Sequence, residues 1–198
     1  ILGYKYRVFS AIIPLVLSIV FSLIILDITM SISWENVGTS EVVFSLTLFA
    51  VAWIIVFLLL FIFRRSMIEI SKYIPSKTWF ERNDWIVFIF SYTIPFIVLY
   101  SISPMEYWEN YAWFFGLTIA NIVIASLYER PRNRRAPEFS TQIYIMSSIL
   151  YVAGSIILLT LTLIFKQYFT AIFTAVMLML LINLIVSLYE IYRAEKLL

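Results

Sequence analysis

Histidine and cysteine are both missing from this 198-residue chain, glycine occurs only four times, and charged side chains make up 13% of the residues. Each shortage removes chemistry. Without cysteine there is no disulfide, thiolate zinc site, iron–sulfur cluster or cysteine nucleophile. Without histidine the commonest haem and transition-metal ligand is gone, and so is the usual general base. A Ser–His dyad of the rhomboid kind and an intramembrane zinc protease are excluded on the same ground. The only aspartates are Asp27 and Asp84. They fall near opposite ends of apolar runs, so they cannot form an aspartyl-protease pair, and no aspartate cluster exists for metal-assisted phosphotransfer. The sequence therefore assigns no catalytic residue, no metal ligand and no cofactor, and the expectation is a protein that is not an enzyme.

Apolar residues are plentiful. They make up 63% of the chain, against roughly 45–50% in soluble domains, and the mean hydropathy is +0.96. A soluble globule of this size cannot hide that much apolar surface, so the composition implies an integral membrane protein. About 20 residues of α-helix cross a ~30 Å hydrocarbon core, and six apolar runs approach that length: 8–30, 42–63, 85–103, 111–128, 142–165 and 168–189. None alternates in polarity as barrel strands do. The connections between runs are short, which makes neighbouring helices antiparallel. The predicted fold is all-α: a single transmembrane domain over residues 1–198, built as a bundle of six helices in three hairpins. The first run is too long for the core of a signal peptide and no small-residue cleavage site follows it. It is expected to remain as a span.

Charge placement sets the expected orientation. Thirteen of the fourteen basic residues fall at the N-terminus, in the second-to-third and fourth-to-fifth connections, and at the C-terminus; only Lys166 falls on the other side. Cytoplasmic loops carry the excess of Lys and Arg, so both termini are expected inside, in a plasma membrane. Glu35, Glu41, Glu106 and Glu109 fall in the opposite loops. Trp34, Tyr107, Trp108 and Trp113 mark one interface and Trp79, Trp85, Tyr128 and Tyr189 the other, as amphipathic rings prefer the headgroup level. Residues 64–84 form the longest polar connection. Met67, Ile70 and Ile74 recur there at intervals of three and four with Lys72 and Lys77 between or beside them, the pattern of an amphipathic segment lying on the inner leaflet.

Candidate functional residues are few. Asp27 is the one acid inside an apolar run, about a turn from the outer end of the first helix. Asn121 and Asn183 are the two amides within spans, at comparable depth on helices running in the same direction. They serve either as interhelical hydrogen-bond groups or, with Thr93, as the lining of a polar route. Pro14 and Pro95 interrupt the donor ladder of the first and third helices. The third helix, with Ser91-Tyr92-Thr93 before Pro95, is the better candidate for a polar kink. Arg130, Arg132, Arg134 and Arg135 crowd one short basic loop. With Lys72 and Lys77 they are candidates for docking lipid phosphates or a partner, each charge contributing about 1 kcal/mol near an anionic surface. A loop this short offers no folded surface for nucleic acid.

Two further patterns concern packing. Ala112, Gly116 and Ala120 form a small-residue stripe on the fourth helix, and Ser147, Ser148, Gly154 and Ser155 form one on the fifth, as close helix contact requires. The tetrapeptide Ser-Leu-Tyr-Glu ends the fourth helix at 126–129 and the sixth at 187–190. A duplicated hairpin would produce this echo, and so would two independent interfacial helix ends.

Two functional classes follow. The first is a non-catalytic multi-pass subunit or scaffold of a larger membrane complex, with lipids and other subunits as partners. The second is a small permease or channel for an ion or small solute, as one chain or as a homo-oligomer, with a route past Thr93, Asn121 and Asn183. If the two asparagines only hold helices together, replacing both with Leu changes thermal stability and leaves any transport intact. Loss of solute flux in a folded double variant assigns them to a pathway instead.

Overall fold

The computed structural model describes residues 2–32, 83–102, 109–166 and 168–196, together with Thr47, Val51, Ile54, Leu58, Phe61 and Lys72. Every extended stretch among them is helical, and no strand occurs among the described residues. Helix α1 spans Leu2–Ile32 and α2 spans Asp84–Ile102. Helix α3 (Glu109–Ile124) runs through a π-helical turn, Ala125–Glu129, into α4 (Arg130–Arg135). A 3₁₀ turn at Pro137–Phe139 leads to α5 (Ile143–Leu159), which ends in a second π-helical turn, Thr160–Ile164. Helix α6 spans Tyr168–Glu195.

Four of these segments are long and apolar enough to cross a membrane: Gly3–Leu23, Tyr111–Arg135, Ile143–Ile164 and Thr170–Glu195. The chain is thus a membrane protein with several spans. Helix α2 supplies a shorter apolar stretch, Ile86–Leu99. The expected span at 42–63 and the amphipathic segment at 64–84 lie almost wholly outside the described residues. The end of the fourth expected span is corrected. Helical structure does not stop at Tyr128 but continues to Arg135. The polar residues that suggested a stop are turned inward: Glu129 and Arg132 are buried. Pro131 does not break the helix: it directly follows the π-helical turn, whose wider hydrogen bonds already depart from the regular ladder.

The bundle is a chain of neighbours: α1 packs along α6, α6 against α5, α5 against α3, and α3 against α2. Lipid tails are as apolar as leucine, so association rests on close packing and interhelical hydrogen bonds rather than on escape from water. Small residues occupy the contacts accordingly. Ala112, Gly116 and Ala120 are buried on α3 and Ala125 on the turn after it, Ser147, Gly154 and Ser155 on α5, and Ala171 and Ala175 on α6. Larger side chains fill the space between them, among them Phe114, Tyr151, Leu158, Val176 and Met179. Ser187 on α6 donates to the carbonyl of Ala11 on α1 at 2.8 Å, a contact possible only where the backbones run close. The opposite faces carry Phe21, Phe90, Ile97, Ile156 and Leu188, all exposed.

Both π-helical turns show the wider hydrogen bond of that geometry: Arg130 N–H reaches the carbonyl of Ala125, and Phe165 N–H that of Thr160 at 3.4 Å. Lys166 follows the second turn with φ 53°, a left-handed conformation that stops the helix. Helices α1 and α2 run through Pro14 and Pro95 without ending. The surroundings of Pro95 are apolar. With Ser91, Val87, Phe90, Ile119 and Val123 it lines a groove of about 350 Å³ between α2 and α3.

Gly154 tests the packing account. A Cβ there would lie 2.9 Å from Cζ and 3.2 Å from Cε1 of Phe114, whose ring is fully enclosed. Substitution Gly154→Ala gains about 0.5–1 kcal/mol of helix propensity and loses about 1–3 kcal/mol to overpacking. The expected net result is a lower unfolding temperature in detergent. Ser148→Ala, at a half-buried position on the same helix, is expected to stay within about 0.5 kcal/mol of the parent.

Candidate functional site: a buried carboxylate and guanidinium cluster

The first N–H groups of any α-helix have no acceptor within the helix. Helix α5 begins after Gln142 with no capping side chain from that residue. Its orphan donors are met instead by two glutamates from other helices. Glu129, the last residue of the π-helical turn after α3, accepts from the N–H of Ile145 at 2.7 Å through Oε2. Glu190 on α6 accepts from the N–H of Gln142 at 2.7 Å through Oε1. Negative charge is favourable at the positive end of a helix dipole. Both glutamates have 0% exposure, so each is removed from water and depends on these partners.

The two acids are the closing residues of the repeated tetrapeptide. In both copies the Leu is exposed and the Glu buried; the serines differ, Ser126 being exposed and Ser187 buried. What the copies share in the structure is a glutamate delivered to the start of α5.

Three arginines complete the cluster. Arg132 is 4% exposed. Its Nη2 donates to Thr141 Oγ1 at 2.8 Å, and that hydroxyl donates to Glu129 Oε1 at 2.7 Å, so the threonine relays between guanidinium and carboxylate. Nη1 of Arg132 donates to the Tyr6 hydroxyl, and the guanidinium carbon lies 4.8 Å from the ring centre of Tyr6 and 5.3 Å from that of Tyr128. Arg193 Nη1 bonds Glu190 Oε1 at 2.8 Å. Arg7, 6% exposed, donates to Ser140 Oγ at 3.0 Å and to the carbonyl of Arg193 at 3.5 Å. Asn133 accepts from the N–H of Thr141 at 3.1 Å and donates back to its carbonyl, fixing the strand of chain that carries the relay. These bonds bring the start of α1, the connection 129–142 and the end of α6 to one end of the bundle.

The sequence-derived candidates divide. Arg132 is corrected: it is no lipid-docking group on a basic loop but a buried helical residue, held by Tyr6, Thr141 and the carbonyl of Phe139. Arg130 and Arg134 are exposed, Arg135 is half-buried with Nε on the carbonyl of Pro131 at 3.2 Å, and Lys72 is exposed. Lys77 lies outside the described residues, as does the side chain of Asp27. Thr93 is exposed on α2 among the described residues, whereas Asn121 and Asn183 are buried. Asn121 donates to the carbonyl of Leu117 in its own helix at 2.8 Å. Asn183 donates to the Tyr151 hydroxyl at 2.9 Å and so ties α6 to α5. Near them Thr118 and Ser155 join hydroxyl to hydroxyl at 3.0 Å across α3 and α5. Arg7, Glu129, Thr141 and Glu190 were not anticipated as a site. The repeated tetrapeptide was the one sequence signal that pointed to two of them.

Chemically the cluster is a lock. Both oxygens of Glu129 are engaged by the chain's own donors, and among the described residues no group of acids could hold a metal ion. Removing one partner of a buried ion pair costs about 3–5 kcal/mol, because the other charge stays buried. Glu129→Leu, which leaves the Ile145 N–H and the Thr141 hydroxyl without their acceptor, and Glu190→Leu, which strips Gln142 N–H and Arg193 of theirs, are each expected to destabilise by about 3–5 kcal/mol, and Thr141→Val by about 1–3 kcal/mol. The combined Glu129→Leu, Thr141→Val variant is expected to lose less than the sum of the two, since both remove the same hydrogen bond; equilibrium unfolding in mixed micelles measures all three. In comparisons with known proteins, no family model, curated protein or solved structure matches this chain.

Proposed function

We propose that this protein is a non-catalytic multi-pass scaffold or subunit of a larger membrane complex. One observation carries this reading: most of the buried polar side chains of the described spans are bonded within the bundle. Ser18, Ser22, Thr118, Asn121, Thr162 and Asn183 each bond a carbonyl in their own helix. Thr118 and Asn183 bond one neighbouring helix as well. The charged cluster is confined to one end and occupied by its own counter-charges. A conduit needs polar groups facing a continuous opening, and a membrane enzyme needs a reactive group with free access.

The finer topology belongs to the same proposal: six spans, both termini cytoplasmic, in a plasma membrane. It is supported by the lopsided distribution of Lys and Arg. Exposed Arg130, Arg134 and Lys72 then face anionic lipid headgroups. The outward apolar faces of α2, α5 and α6 supply area for unlike subunits as well as for lipid.

Native mass spectrometry of protein extracted gently from its own membranes tests the reading. The expected result is a stoichiometric complex with unlike subunits. A symmetric homo-oligomer that carries solute flux in liposomes would overturn it in favour of a channel assembled between copies.

A further inference from the structure

Three polar atoms of the cluster are enclosed without a hydrogen-bond partner: Arg7 Nε, Arg132 Nε and Glu190 Oε2. Buried polar groups are otherwise almost always paired, and the exceptions call for an explanation such as a bound water. The side chains that carry them are anchored next to one another along the chain. Arg7 is held by Ser140, Arg132 by Thr141 and Glu190 by Gln142, so three consecutive residues fix the three side chains. The charge of Glu190 acts on both guanidinium groups.

We propose that an ordered water molecule is bound inside the cluster, bridging Arg7 Nε, Arg132 Nε and Glu190 Oε2. The donor and acceptor count selects it. Two N–H groups need lone pairs and one carboxylate oxygen needs a hydrogen, and water offers both in one small neutral molecule. A cation would face two guanidinium groups, and an anion would face a carboxylate. Through this water α1, α4 and α6 are joined at a point where no direct side-chain bond joins all three. It is an integral part of the lock rather than solvent that has leaked in.

A structure of the intact protein in a lipidic environment, at a resolution that shows waters, tests the proposal. The expected result is one density peak within about 3.2 Å of at least two of the three atoms. Direct contact of Glu190 Oε2 with a guanidinium N–H, or a dry cluster, would overturn it. NMR gives an independent readout through cross-peaks between long-lived water and the Nε–H groups of Arg7 and Arg132. In Glu190→Gln the amide nitrogen takes the place of Oε2, because Oε1 must still accept from Gln142 and Arg193. Three donors then compete for two lone pairs, so the water cross-peaks are expected to vanish. Cross-peaks of unchanged intensity in a folded Glu190→Gln protein would show that the carboxylate does not hold the water. Should that variant fail to fold, the parent structure alone decides.

Discussion

Capping of α5 by two glutamates from different helices is the interaction on which the described structure turns. Desolvating a carboxylate is costly, and it is tolerated only when hydrogen bonds and opposite charge surround it. Glu129 and Glu190 meet that condition on the orphan N–H groups of one helix start. Each of them then requires cations, directly through Arg193 or by way of Thr141 through Arg132. Those arginines in turn fix Tyr6, the 3₁₀ turn and Arg7. One uncapped helix end thus explains why so many charges are buried at one end of a chain that is otherwise poor in charge.

Away from that end the bundle is held differently. Asn183 to Tyr151 and Thr118 to Ser155 are single neutral bonds between helices. Such bonds average about 0.6 kcal/mol in membrane bundles. Close contact at Gly154, Ala112 and Ala171 does the remainder. The two devices are complementary. Small-residue packing permits several rotations and registers of apolar helices, whereas the charged cluster is satisfied in only one.

The helices were legible from hydropathy because span length and apolar content are local properties. The stripe on α5 was legible for the same reason, and it meets α3: Gly154 lies against Phe114 and Ser155 bonds Thr118. The cluster was not legible, because its logic is non-local. Arg132 sits among four arginines beside a proline, which reads as a basic loop. Its burial is decided by Tyr6, 126 positions away. Glu129 and Glu190 resemble ordinary polar ends of apolar runs, and nothing near them in sequence reveals that both meet α5. Thr93 is the opposite case. Its spacing from Pro95 suggested a polar kink, but the turn of α2 that carries it faces outward while Ser91 faces α3.

The order in which the cluster's parts leave the ribosome gives it another meaning. The start of α5 waits for Glu190, 48 residues later, before its Gln142 N–H is satisfied, and Arg7 waits 186 residues for the carbonyl of Arg193. Until α6 is in place, the Gln142 N–H lacks its acceptor and Arg7 lacks the carbonyl of Arg193, whereas the bonds among Tyr6, Glu129, Arg132, Thr141 and Ile145 need only residues already made. The part of the lock that Glu190 and Arg193 supply therefore closes last, and its closure distinguishes a finished bundle from an unfinished one. A chain stalled or cleaved before Glu190 lacks both the acid that accepts from Gln142 and the Arg193 that pairs with it.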